Sequence, residues 1–427
     1  MLGAITNVLY RASSFIFNLL LATLAIPYLG EDRFGALMVI ISLINVLLIL
    51  DAGIGNALTN RVSNASANLS KKELSAIISK GLILLFYLSL IILFFLLLSF
   101  KFFSWSAILN IPETFQFEFE RSLLIFFVLY SVYIFSYGIQ KIFAGLQKYY
   151  LINSLLFVTS LISIVCLIAY TKYDGGMVGL VLISFGFQIL GGLCGIFYLF
   201  KERLISFTYG FKPVLEEFNN LRAAAGTFLT IQIAAMAQWS LDSVIISSVI
   251  GLREVTILAL SQRLFLLIPQ ISSTLSSSLW GAYADAHFRN DFVYIRQTLF
   301  RSMMLIIIFA FLSFALIMFY SKELFHIWLG YNPEIPNDIL LFVGLLFVGQ
   351  AIGNVFAMFL NGCNVLKQQF IVAISMLLVI PIKFLTAEYL GLSSMLQYSL
   401  FYYVGIHILF YGFLFRKTLS RRLFGHI

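Results

Sequence analysis

The chain has 427 residues, 61% of them hydrophobic and only 11% charged, with a net charge of +8, and its mean hydropathy is +0.98. Soluble domains carry about 25% charged residues, so the composition excludes a water-soluble enzyme, and the 16% aromatic content excludes a disordered chain. Three cysteines, Cys166, Cys194 and Cys363, all inside apolar runs, exclude a disulfide scaffold.

A helix needs about 20 apolar residues to cross hydrocarbon. Twelve such stretches follow one another: 8–30, 34–57, 77–100, 121–143, 151–171, 177–200, 223–249, 255–283, 298–320, 339–361, 368–387 and 394–415. Their period is helical, and the short alternating strands of a membrane barrel are absent. The run Ala12–Leu29 after Arg11 is long enough to span and no small-residue cleavage site follows it, so the first helix is expected to be retained. The expected fold class is an all-α polytopic membrane protein.

Twelve spans put both termini on one side. Nineteen Lys/Arg fall on that side and seven on the other, with Arg263 inside a span. The positive-inside bias therefore predicts cytoplasmic termini. The basic residues are scattered along loops, so the charge reflects topology and not nucleic-acid binding.

The polar stretch from Lys201 to Arg222 divides the chain into two six-helix lobes, 1–205 and 206–427. Each lobe starts and ends on the cytoplasmic side, which demands a parallel pseudo-repeat. Two correspondences suggest one. The turn Leu29-Gly30-Glu31-Asp32-Arg33 is matched by Ile250-Gly251-Leu252-Arg253-Glu254, 221 residues later. Ala144-Gly145-Leu146 after the fourth span is matched by Asn361-Gly362-Cys363 after the tenth, 217 residues on.

Ionisable residues inside spans are costly and face a cavity or a partner. Asp51 closes the second span, Asp242 lies in the seventh and Arg263 in the eighth. At about 1.5 Å per residue, Asp242 and Arg263 lie at similar depth below the turn at Leu252. Two readings stand: a structural ion pair between them, or Arg263 binding an anionic substrate that Asp242 helps to hold or release. Gln262 and Gln270 flank Arg263, with Arg263 and Gln270 seven residues apart on one helical face. Gln232, Gln350 and Asn354 read mainly as interhelical hydrogen-bonding amides. Arg11 and Arg61 lie at cytoplasmic ends, as topogenic anchors or as a cationic mouth for a phosphate group. Trp239 offers a ring for sugar stacking, though packing is the commoner use. Lys383 is read as snorkelling outward. Asp51 is a candidate for coupling to a proton, or a local helix-end residue beside Gly53 and Gly55; Asp242 is the second coupling candidate.

No GxxxxGK[ST] loop and no metal-ligand spacing occurs, and the four histidines are scattered. The chain reads as a secondary transporter without cofactor, not as an enzyme.

At this point the residues resemble a family. Leu50-Asp51-Ala52-Gly53-Ile54-Gly55-Asn56, Asp242 with Val244-Ile245-Ile246 and Gly251, Trp328-Leu329-Gly330, and Leu360-Asn361-Gly362 resemble motifs of the multidrug/oligosaccharidyl-lipid/polysaccharide exporter superfamily, most of all its O-antigen flippases (Wzx type). The resemblance implies two rocking six-helix lobes in a bacterial inner membrane. It implies transfer of an undecaprenyl-pyrophosphate-linked oligosaccharide, such as a lipopolysaccharide O-antigen unit, to the outer leaflet. Its implied partners are that lipid-linked oligosaccharide, membrane lipids, a polysaccharide polymerase and other assembly proteins. The alternative in the same superfamily is a cation-coupled multidrug antiporter. Such antiporters often use an acidic residue in the first helix, where this chain has only Asn18.

Overall fold

The computed structural model describes residues 2–51, 53–173, 175–206, 211–236, 240–363 and 374–419. Among them no strand occurs. Packing divides the chain into two compact units, Met1–Met236 and Ala237–Ile427.

The first unit holds α1 (Leu2–Leu29), α2 (Glu31–Leu47), α3 (Ile54–Asn68), α4 (Lys71–Phe102), the short α5 (Trp105–Ile108), α6 (Gln116–Gly145), α7 (Tyr149–Tyr170), α8 (Gly176–Lys201) and α9 (Phe211–Ala235). Its core is α6 packed on α8, α3 and α4, with α7 wedged between α1 and α8. Outward faces such as Phe94, Phe95 and Val165 stay exposed, as lipid-facing residues do. The start of α4 is a capping box, in which Ser70 and Glu73 satisfy each other's backbone N–H.

The second unit holds α10 (Asp242–Val249), α11 (Leu252–Phe265), α12 (Leu267–Phe288), α13 (Phe292–Phe319), α14 (Ser321–Leu329), α15 (Asn337–Gly362) and α16 (Val379–Leu419). Here α15 is the central helix, packed on α12, α13, α16 and α11.

Among the described residues nine helices are long and apolar enough to cross a membrane, or ten if the bent pair α11–α12 is one span. The run Ile374–Ile406 counts as one of the nine. It is interrupted at Gly391, whose φ of 82° and ψ of −177° are not helical, so two helices meet there. The eleventh and twelfth expected spans fall on either side of that break. The seventh falls on α9 and α10, which flank positions outside the described residues.

Two breaks differ from continuous spans. The expected second span, 34–57, ends as α-helix at Leu47; a 3₁₀ turn carries Leu48–Asp51 and α3 restarts at Ile54. The eighth bends by 46° between Phe265 and Leu267. Pro269 causes the bend, because it offers no N–H to the Phe265 carbonyl. Gln270 and Arg263 therefore lie on different helical segments, contrary to the single face expected of them. The polar stretch Lys201–Arg222 is not loop throughout either, since α9 begins at Phe211.

The repeat is visible in the glycines. Gly30 (φ 85°, ψ 165°) and Gly251 (φ 152°, ψ 173°) stand before α2 and α11 in a backbone region that a side chain strains. Gly145 and Gly362 both let a helix approach a neighbouring backbone: a Cβ at Gly145 would stand 2.7 Å from the Thr59 carbonyl, and one at Gly362 2.9 Å from the Trp280 carbonyl. Thr59 and Trp280 are themselves 221 residues apart, the offset of the two turns. Gly145→Ala and Gly362→Ala are each expected to cost about 1–3 kcal/mol and to lower the unfolding midpoint in detergent. Gly186→Ala, where nothing lies within 4 Å of the new Cβ, is expected to leave it unchanged.

Candidate functional site

In the first unit, the break after α2 is built around Asp51. Gly53 adopts a left-handed backbone (φ 72°), and its N–H donates to Asp51 Oδ1 at 2.7 Å. This is an Asx turn, in which the carboxylate replaces the helical carbonyl acceptor. Asp51 is 1% exposed. Its Oδ1 also accepts from Gln232 Nε2 of α9 at 3.2 Å. Asp51 Oδ2 and Gln232 Oε1 are buried with no hydrogen-bond partner. Gln232 thus serves as the interhelical amide that the sequence suggested.

Opposite Asp51 stands one face of α6. Tyr130, Tyr133, Tyr137 and Lys141 recur at helical spacing along it. Tyr133 and Tyr137 stack at 5.8 Å, and Lys141 Nζ lies 4.8 Å from the Tyr137 ring centroid. A Cβ at Gly55 would stand 3.1 Å from Asp51 Oδ2, 3.4 Å from Lys141 Cγ and 3.4 Å from Tyr137 Cε1. Gly55 therefore lets the three side chains converge. Thr59 pins the same place, its hydroxyl donating to the Lys141 carbonyl at 3.0 Å.

Arg11 joins this cluster. Its Nε donates to Asn7 Oδ1 at 2.8 Å along α1. Tyr10 is in electrostatic reach of Arg11 and Tyr149, and Tyr149 of Lys141, Tyr137 and Arg11. Two cations, one carboxylate and five phenols thus share one region. It attracts anions through the cations and presents phenolic O–H donors beside them. Beside Tyr10, a pocket between α1, α7 and α8 adds Ser14, Ser160, Ser163, Ser184 and Gln188. The sequence reading missed Lys141 as a site residue, because it was counted with the topogenic charges. The Tyr-Tyr-Lys stripe at i, i+4, i+8 is the signal that finds it.

Arg61 does not join that cluster. Its Nε donates to Glu217 Oε1 of α9 at 3.1 Å. Glu217 is 3% exposed, so an apparent surface anchor is the partner of a buried carboxylate. Asp51 meets Gln232 and Arg61 meets Glu217, so α9 runs antiparallel to α3.

In the second unit the expected pairing changes partner. Asp242, at the first turn of α10, accepts from Lys383 Nζ at 2.6 Å, and the two side chains are 7% and 1% exposed. Lys383 does not snorkel. It lies eight residues before Gly391 and Asp242 nine before Gly251, so at about 1.5 Å per residue both lie at one depth below their turns. The same arithmetic that proposed Arg263 as the partner fits Lys383 equally. The helix N-terminus adds favourable field at Asp242. Arg263, 8% exposed, instead donates from Nη1 to its own helix at the Ala259 carbonyl, 3.2 Å away. Gln262 and Gln270 are half-buried on either side of the bend. Asn354 of α15 braces that bend, donating to the Pro269 carbonyl at 3.3 Å. Trp239 lies outside the described residues.

The chain shares its fold with solved membrane transporters. It superposes with a TM-score of 0.79 on an inward-facing multidrug resistance MATE family transporter of the MOP superfamily, covering 99% of this chain and 96% of the other at 14% identity. With the lipid II flippase MurJ in an inward closed conformation the TM-score is 0.70, over 99% and 90% of the chains at 15% identity. With the Vibrio cholerae MATE transporter VcmN in its bent form it is 0.65, over 99% and 96% at 14% identity. At such identities the likeness is one of fold. The family model described as polysaccharide biosynthesis protein matches residues 3–280, and the chain belongs to that family. No curated protein matches it. It is a multi-pass membrane protein.

The Asp242–Lys383 pair makes a direct prediction. Asp242→Leu or Lys383→Leu alone leaves a buried charge unmet and is expected to cost on the order of 3–5 kcal/mol, seen as a lower unfolding midpoint and yield. The double Leu variant is expected to recover most of that loss. A midpoint that each single substitution leaves in place would show the pair to be energetically idle.

Proposed function

We propose that the protein is a flippase for an undecaprenyl-pyrophosphate-linked oligosaccharide repeat unit, an O-antigen or similar surface polysaccharide. It carries the unit from the inner to the outer leaflet of the bacterial cytoplasmic membrane by alternating access, with both termini cytoplasmic and the six-helix lobes 1–205 and 206–427 as its working parts. It acts without catalysis or cofactor, beside a polymerase and other assembly proteins. The observation that carries this reading is the gathering of Arg11 with Lys141 and five tyrosines inside an apolar bundle of a polysaccharide biosynthesis protein.

The physics sets what such a site must do. Drawing a glycan diphosphate through bare hydrocarbon strands many polar groups at several kcal/mol each. A cationic, hydroxyl-lined path avoids that cost while the polyprenyl tail stays in lipid. Arg11 suits the diphosphate through its planar donor fork. Arg61, Gln262, Gln270 and Trp239 remain candidate contacts along the path, with Arg263 as an anion ligand of the second lobe. Asp51 and Asp242 are the coupling candidates, since each is a buried carboxylate tied to a titratable or amide partner.

The likeness to MATE transporters favours a second reading, a cation-coupled multidrug antiporter. One experiment separates them. Cells lacking the gene are assayed for surface glycan, for intracellular polyprenyl-linked units and for sensitivity to cationic drugs, with plasmids carrying wild-type or Arg11→Ala protein. The flippase reading expects lost surface glycan, accumulated lipid-linked units, rescue by wild type and about tenfold weaker rescue by Arg11→Ala at equal membrane level, as the loss of one charge-assisted contact predicts. Unchanged glycan with altered drug sensitivity would establish the antiporter instead.

A further inference from the structure

Lys141 and Asp51 face one another across Gly55, yet the lysine does not pair with the carboxylate. Among the described residues Lys141 makes no ion pair; its ammonium rests over the Tyr137 ring, 4.8 Å from the centroid. Asp51 keeps one oxygen, Oδ1, in the Asx turn and on Gln232, and leaves Oδ2 buried without a partner. Lys141 is the charged group that acts on it. The other groups in reach are the backbone N–H of Gly55, phenols of α6, namely Tyr130, Tyr133 and Tyr137, and the Gln232 amide of α9.

We infer that Lys141 binds the diphosphate of the lipid-linked substrate together with Arg11, and that Asp51 is the counter-charge from which the substrate takes it. This rests on the flippase reading above. An anion that draws the Lys141 ammonium away from Asp51 removes the charge stabilising a buried carboxylate. Asp51 then takes one proton from water at Oδ2, and the proton enters with the substrate. Tyr137 and Tyr149, both beside Lys141, supply O–H donors to the same phosphates. Because the complex holds one proton more than the free protein, affinity rises as pH falls. The limit for one proton is about tenfold in Kd per pH unit.

The probe is N-acetylglucosaminyl-diphospho-farnesol, a diphosphate diester whose two phosphate charges stay fixed between pH 5.5 and 8. Any pH dependence then belongs to the protein. Binding is measured on the full-length protein in nanodiscs by calorimetry, in two buffers of different ionisation heat, so that protons taken up are counted directly. Wild type is expected to take up close to one proton and to bind more tightly as pH falls. Asp51→Asn, which keeps the Oδ1 acceptor of the turn, is expected to bind tightly with no uptake and a flat profile. Lys141→Gln is expected to weaken binding about tenfold or more and to flatten the profile, with Lys141→Arg restoring affinity. Proton uptake unchanged in Asp51→Asn, or a flat wild-type profile with firm binding, overturns the coupling while leaving the flippase reading intact. Full affinity in Lys141→Gln overturns its role as ligand. Absence of probe binding by wild type sinks the flippase reading itself, and the inference with it.

Discussion

In the hydrocarbon interior no water meets an unpaired polar group, so each ion carried into the spans is held by the protein's own atoms or held ready for a ligand. That constraint arranges most of what is distinctive in this molecule. Asp242 and Lys383 neutralise one another inside the second unit. Just outside the expected spans of the first, Glu217 is met by Arg61. Arg263 spends a donor on the carbonyl one turn back. Asp51 is the exception in kind: one oxygen closes a turn, and the other faces a lysine that has settled on an aromatic ring.

The helix breaks lie where this chemistry is. The α2 helix stops short so that Asp51 can replace a backbone acceptor for Gly53. The α11–α12 bend follows Arg263 by three residues, and Asn354 donates to the Pro269 carbonyl beside it. Continuous helices satisfy their backbones without help, so side chains that serve as backbone partners mark where regular structure was given up. Glycines do the converse at Gly145 and Gly362, letting regular helices come within reach of a neighbour's carbonyl and holding the two units to one pattern.

Lys383 shows how far sequence reasoning reaches. Its depth was computable from Gly391, and its chemistry as an ammonium in an apolar run was plain. What the chain did not reveal was which of two cations at similar depth meets Asp242, because that choice depends on which helices pack against α10, and both α11 and α16 do. Lys141 shows a different limit. Its place near a helix end made it look topogenic, while its spacing from Tyr133 and Tyr137 already put the three on one face.

Composition and period therefore determined the class of this protein: an all-α, multi-pass chain with its charges few and countable. These follow from the length of apolar runs and from backbone chemistry, which are local. The partners of those charges are not local. Asp51 with Gln232 lies across 181 residues, Arg61 with Glu217 across 156 and Asp242 with Lys383 across 141. Only the tertiary packing of helices distant in sequence decided them, because an ion in a low-dielectric bundle takes whichever opposite charge the packing brings within a few ångströms.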